Sequence, residues 1–313
     1  QKVEQYIKTN GQLSLRGHNV ELSITDDTEL CMALARSLVR KGGYDVYDVS
    51  QSYTTWFYSN PFDVGIATTK ALGKTSLKYD GKTNYQIIRS CSQKYNCQSL
   101  SNGCLMRISP VGIMGLNMND RDLCKIGCID CQLTNPHPMA QEATMVYLRA
   151  LKTGLITGDF GAIMKYVIDP MDNRSIIKNF ITRATHNTNN NKIPIYKDDE
   201  IVYTSSDSAF QGHLGIALYD TFHELSHTSD FSNIMKNIMC RGGDTDTNCA
   251  ITGALYGAIY GYHKIPDHLI TELLTKPYKR KNIYPWGDMS DITTVASNLL
   301  MGNLGRGNLG RGN

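Results

Sequence analysis

The chain has 313 residues, 41% of them hydrophobic and 19% charged, with a formal net charge of +3. That length can bury a large core in one domain or two, and the composition is that of an ordinary globular protein. The small charge, with no dense Lys/Arg stripe, argues against a nucleic-acid binder, and no run approaches the roughly 20 apolar residues of a membrane span. An odd count of 9 Cys suggests reduced thiols and a cytoplasmic setting. The chain opens on Gln1, not Met, which points to residues removed upstream.

Helical periodicity dominates. The first helix is predicted over Asp26–Lys41, with Leu30, Leu34 and Leu38 on one face and Gly42 as its stop. Residues 50–69 read as irregular and aromatic, with Trp56, Phe57 and Phe62. A helix over 138–151 opens on Pro138 and turns Ala143, Val146, Tyr147, Ala150 and Leu151 inward. Residues 185–200, rich in Asn, Thr and charge, read as a surface loop. The only strand candidates are short, at 193–196 and 201–204. Further helices are predicted over 212–225, 230–240 and 248–262. Lys276-Pro277-Tyr278-Lys279-Arg280-Lys281 reads as a solvated loop, and 301–313, which repeats Leu-Gly-Arg-Gly-Asn, as a disordered tail. No linker interrupts the middle. The expectation is an all-α fold, a single compact multi-helix domain over residues 1–300.

Two acidic clusters each precede an apolar-periodic segment: Thr25-Asp26-Asp27-Thr28 and Asp244-Thr245-Asp246-Thr247. Either could simply start a helix, with Thr25 or Asp26 as N-cap and Glu29 completing a capping box. Their pairing suggests more. Two such helix starts facing each other would present four carboxylates to one point, which only a cation makes stable. Oxygen donors of this kind suit magnesium or manganese. Gly242 and Gly243, ahead of the second cluster, allow a tight backbone approach.

Other features are weaker. Gly253, Gly257 and Gly261 recur every four residues, which predicts close packing of their helix on a neighbour. Cys124, Cys128 and Cys131 have a spacing that could hold a cluster iron, but they also share one helical face, and the helix is favoured. The turn at 99–110 could offer backbone N–H groups to an anion or be an ordinary turn. The eight His show no metal spacing.

Five blocks, taken in order, resemble the ADP-ribosylglycohydrolase family, the metal-dependent type that includes the dinitrogenase-reductase-activating enzyme and the ADP-ribosylarginine hydrolases. They are Ile24-Thr25-Asp26-Asp27-Thr28-Glu29; Asn60-Pro61-Phe62-Asp63-Val64-Gly65 continuing to Thr68-Thr69; Ser101-Asn102-Gly103-Cys104-Leu105-Met106-Arg107; Leu133-Thr134-Asn135-Pro136-His137-Pro138; and Arg241-Gly242-Gly243-Asp244-Thr245-Asp246-Thr247-Asn248. The resemblance runs from about residue 23 to 266 and implies a compact all-helical fold with a binuclear Mg or Mn site under an ADP-ribose cleft. It implies that Thr25, Asp26, Asp27, Asp244, Asp246 and Thr247 hold the two divalent ions. Ser101, Asn102 and Gly103 would cradle the diphosphate, and Gly65 and Thr69 would line the ribose side. Asp63 would contact the distal ribose, with Asp63, Asp27 or Asp246 moving the proton. His137 and His213 would lie on the substrate side, His213 near the adenine. Asn135 stands where many relatives have His, and Cys104 where Ser or Ala is frequent. The family's N-terminal Gly-Asp-Ala-Leu-Gly block has no counterpart.

The implied activity is hydrolysis of ADP-ribose from a modified protein side chain, arginine first. The substrate would be an ADP-ribosylated protein or small molecule, with no nucleic acid or membrane partner, and the chain a monomer. The rival readings are a hydrolase of serine-linked or free ADP-ribose derivatives, a non-catalytic ADP-ribose-binding module, and a structural helical protein.

Overall fold

The computed structural model describes residues 24–61, 63–186, 192–198, 200–275 and 286–301, together with the backbone of a small hairpin, β1 (Leu13–Leu15) and β2 (His18–Val20). The helices follow in order: α1 Asp26–Lys41, α2 Val46–Phe57, α3 Ile66–Leu72, α4 Gly81–Tyr95, α5 Gly103–Met106, α6 Ser109–Met114, α7 Asp120–Cys131, α8 Pro138–Thr157, α9 Phe160–Ile163 and α10 Ile176–His186. An antiparallel ribbon, β3 (Ile193–Lys197) and β4 (Glu200–Thr204), precedes α11 Leu214–His227, α12 Phe231–Arg241, α13 Thr245–Tyr260, α14 Asp267–Thr275 and α15 Ile292–Met301. The architecture is all-α, as the periodicity predicts.

Helix α8 lies in the core. Its Ala140, Ala143, Tyr147, Leu148 and Ala150 are fully buried against α6, α7 and α13. Each large apolar side chain removed from water stabilises by roughly 1.5–3 kcal/mol. Tyr147 can be buried because its hydroxyl donates to the Ile251 carbonyl on α13 at 2.6 Å. Gly127 lets α7 close on α8, since a Cβ there would meet Leu148 Cδ1 at 2.4 Å. Helices α1, α5 and α11 all contact α13, which brings the beginning and end of the sequence pattern together.

Several expectations need correction. Residues 50–69 are mostly helical: Trp56 and Phe57 end α2, and α3 begins at Ile66. The hydroxyl-rich turns of α2 hide its period, although Val49, Tyr53 and Trp56 form a buried stripe. The loop expected over 185–200 begins inside α10 and contains β3, with Ile193 and Ile195 buried. The glycine stripe of α13 is not a close-packed seam. A Cβ would meet nothing within 4 Å at Gly257 or Gly261, and only Met235 Cε, at 3.9 Å, at Gly253. The tight contact comes from Gly154 on α8, where a Cβ would lie 3.1 Å from Ile259. Cys124, Cys128 and Cys131 all fall on α7, and the nine cysteines are unpaired. Phe62, the basic run at 276–281 and residues 302–313 lie outside the described residues; Met301 closes α15.

Candidate active site

Two helix starts carry capping residues that do not cap. Thr25 occupies the N-cap of α1 and Asp244 that of α13, and neither side chain accepts a backbone N–H of its own helix. Asp45, Asp80, Asn119, Asp159 and Asp230, by contrast, each accept backbone N–H bonds at their helix starts. A capping contact contributes ~1 kcal/mol, and both site residues forgo it for other partners. Thr25 Oγ1 donates to Asp27 Oδ2 at 2.7 Å. Asp244 Oδ2 accepts from Asn102 Nδ2 at 2.8 Å. Gly243 sets the approach to Asp244, with φ +83° and the Ser206 carbonyl oxygen only 2.1 Å from where a Cβ would stand. No side chain fits there.

The carboxylates feel one another across the fold. Burial, then the charges of Asp27, Asp63 and Asp246, push Asp26 up to about 8. Burial likewise pushes Asp27 up to about 6, with Asp246 and Asp244 adding and the Thr25 and Thr247 hydroxyls opposing. Asp244 rises to about 6 through burial and Asp246, opposed by Asn102 and Thr247. Asp27 Oδ1 is buried and no hydrogen bond reaches it. Five carboxylates from three distant segments are therefore neighbours, joined by the Thr25 and Thr247 hydroxyls. A hard divalent ion fits that chemistry, because it would relieve both the repulsion and the orphaned oxygen. They do not yet close on one point: among the described residues no three His, Cys, Asp or Glu side chains form a ready ion site.

The residues expected on the substrate side lie in two places. Asp63 is exposed, accepts from its neighbour Val64 N at 2.8 Å and is close enough to raise Asp26. Gly65 is the N-cap of α3, and Thr69 lies exposed on that helix. On the other side, Ser101 bridges His213, and Asn102 N donates to the Gly212 carbonyl at 2.9 Å. Asn135 is buried and donates to the Ser101 hydroxyl at 2.9 Å and carbonyl at 3.2 Å. The space beside Gly103 is open for 4 Å. His137 caps α8, its Nδ1 accepting from Met139 N at 3.1 Å. His213 caps α11: Nδ1 accepts from Gly215 N at 2.9 Å and Nε2 donates to the Tyr196 carbonyl at 3.1 Å. Burial holds its pKa down at about 4, so the ring is neutral and fixed, edge-on to Phe180.

Two arginines brace these segments from below, a role that the sequence alone does not reveal. Arg107 Nε donates to Asp130 Oδ1 at 2.9 Å and Nη2 to the Asp130 carbonyl at 3.0 Å. Its Nη1 reaches the Gly103 carbonyl at 3.0 Å and Thr134 Oγ1 at 2.9 Å, and Thr134 in turn donates to Asn135 Oδ1 at 2.7 Å. Tyr53 and Tyr44 donate to Asp130 Oδ2 at 2.9 and 3.3 Å. Burial works against the Arg107 charge, but Asp130, together with Tyr53, Cys104 and Cys131, outweighs it and raises the pKa. Arg241, just ahead of Gly242, pairs with Glu224 and lies 3.4 Å from Asp220 Oδ1; Asp220 Oδ2 accepts from Asn248 Nδ2 at 3.0 Å. Contrary to the expectation that no histidines have metal spacing, His223 and His227 lie four apart on α11. An open hollow of about 590 Å³ on α4, lined by Tyr85, Gln86, Arg89, Ser90, Gln93 and Lys94, includes none of the acidic residues.

An all-helical frame that gathers aspartates and threonines from two helix starts beside a polar turn defines a class of protein with one acidic centre. The ADP-ribosylglycohydrolase family model matches residues 2–303, and the chain belongs to that family. A protein of Acanthamoeba polyphaga mimivirus named as an ADP-ribosyl glycohydrolase is 29% identical, over 83% of this chain and 78% of its own. The ADP-ribosyl-dinitrogen-reductase glycohydrolase of Rhodospirillum rubrum is 26% identical, over 80% and 73%. A solved ADP-ribosylglycohydrolase-related protein complex shares the fold, with TM-score 0.60 and 22% identity over 88% of this chain and 80% of that one. The chain is an enzyme of this type, acting on ADP-ribosylated substrates. No helix among the described residues is long and apolar enough to cross a membrane.

Proposed function

We propose that the chain hydrolyses the bond between the distal ribose of ADP-ribose and a protein side chain, an arginine guanidinium first. The supporting observation is that Thr25 and Asp244 leave their helices uncapped and turn toward a shared acidic centre. Thr25, Asp26, Asp27, Asp244, Asp246 and Thr247 would hold two magnesium or manganese ions. When bound, such ions supply Lewis acidity and lower the pKa of water. Asn102 fixes Asp244 by its 2.8 Å hydrogen bond, so the carboxylate keeps its direction. Asp63, exposed beside Asp26, would take a proton from water attacking the anomeric carbon as oxocarbenium character develops. The Ser101–Gly103 turn, open beside Gly103, would receive the diphosphate, while Gly65 and Thr69 line the ribose side. His213, with both ring nitrogens engaged, would offer a surface and not a proton.

The test measures ADP-ribose release from ADP-ribosyl-arginine, with and without magnesium, for the parent and Asp246→Asn. Release should need the ion and fall roughly 100-fold or more in the variant, as when a key electrostatic group is lost. Equal turnover in excess chelator would refute the ion's role. Faster release from ADP-ribosyl-serine would reassign the linkage. Tight ADP-ribose binding without turnover of any linkage would make the chain a binding module.

A further inference from the structure

We propose that His223 and His227 form a second ion site, separate from the carboxylate centre: a two-imidazole chelate for a late first-row divalent ion such as zinc, nickel or copper. The residues belong to His223-Glu224-Leu225-Ser226-His227, at the C-terminal end of α11. Spaced four apart, they share a helix face. Their ring centroids stand 4.3 Å apart, tilted by 37°. Each ring has its tautomer set by a carbonyl. His223 Nδ1 lies 2.9 Å from the Ala184 oxygen, and His227 Nδ1 lies 2.7 Å from the His223 oxygen. A carbonyl only accepts, so each Nδ1 carries the proton and each Nε2 keeps a free lone pair. Ser226 Oγ donates to the same His223 carbonyl and so accepts from His227 Nδ1 at 2.8 Å. Imidazoles that bind metals are commonly oriented this way, with the second nitrogen donating to a carbonyl.

His223 is half-buried and His227 exposed, so solvent reaches the pair. Burial lowers the His223 pKa; Arg241 and His227 lower it further, against the bond to Ala184, and the ring stays in the neutral form that ligation requires. His-Glu-x-x-His is also the spacing of zinc peptidases, in which the glutamate is the base. Here Glu224 is not available for that work. It is buried, pairs with Arg241 and accepts from Asn237 Nδ2 at 2.8 Å. The pair therefore binds without proteolysis. Among the described residues no third His, Cys, Asp or Glu completes it, so solvent would supply the remaining ligands. Imidazole favours zinc, copper and nickel, whereas the oxygen donors around Asp27 favour harder ions, so the two sites sort ions by ligand softness.

The site is independent of the glycohydrolase reaction, and so is its test. Zinc chloride is titrated by calorimetry into chelator-stripped parent, His227→Gln, His223→Gln and Asp246→Asn proteins, all in excess magnesium, with melting curves to verify folding. Parent and Asp246→Asn should bind one zinc ion with equal affinity. Both histidine variants should bind at least about tenfold more weakly, the lower end of what is lost when even a group bonded to a ligand is removed. Unchanged affinity in the folded His227→Gln protein would overturn the site, as would loss of zinc binding in Asp246→Asn alone. Zinc-dependent casein cleavage that Glu224→Gln abolishes would overturn its non-proteolytic character.

Discussion

Arg107 and Arg241 are both cations set against carboxylates beneath the acidic centre, but their surroundings differ. Arg107 is fully buried and meets Asp130, Gly103 and Thr134, while both Asp130 oxygens have partners of their own. Arg241 satisfies Glu224 yet leaves its own Nη1, Asp220 Oδ1 and Asn248 Oδ1 buried without hydrogen bonds. A buried ion pair repays its desolvation only when the remaining donors and acceptors are also met. The Ser101 turn thus rests on a complete network, and the Asp244 loop on one with slack.

The largest test of that contrast is Arg107→Met, which strands the Asp130 charge. It should cost ~3–5 kcal/mol in urea unfolding; a cost near zero would show that the tyrosines alone satisfy Asp130. Next comes Asp220, whose pKa burial raises from 3.8 to about 6 against the pull of Arg241 and Asn248. Between those values the folded state holds a proton that the unfolded state has lost. Stability contributed by this group is therefore present below about pH 4 and lost as pH rises to about 6. On the scale of 1.36 kcal/mol per pKa unit the loss is on the order of 3 kcal/mol. It should appear as the difference between parent and Asp220→Asn stability curves; parallel curves would show that the Asp220 pKa is the same folded and unfolded. Arg241→Met should cost less than Arg107→Met, about 1.5–3 kcal/mol at neutral pH, because Asp220 can take up a proton. Equal costs would erase the contrast. The smallest effect is expected from Asn135→Ala, ~1 kcal/mol for the lost bonds to Ser101. If the turn contacts substrate, KM should rise with little change in kcat.

Four of the five carboxylates of the acidic centre were legible because they sit in two compact blocks with an unusual density of Asp and Thr at helix starts. Gly243 was legible for the same reason. The braces were not, since Arg107 and Asp130 are 23 positions apart and only folding makes them partners. Asn102 was assigned to phosphate by its block, but its amide is committed to Asp244. His223 and His227 went unnoticed inside a helix read for its apolar period. Helix α4 was missed because only Asn84, Ile88, Cys91 and Ser92 of its fifteen residues are buried. Such a narrow, half-polar stripe gives little periodic signal.

The small ribbon of β3 and β4 touches both halves of this arrangement. Its Tyr196 carbonyl receives the His213 ring, and the Ser206 carbonyl just beyond it abuts Gly243. One short hairpin is thereby a shim between the polar turn and the acidic loop. Its thickness gauges the gap between them, and an inserted residue there would reset that spacing without touching a single carboxylate.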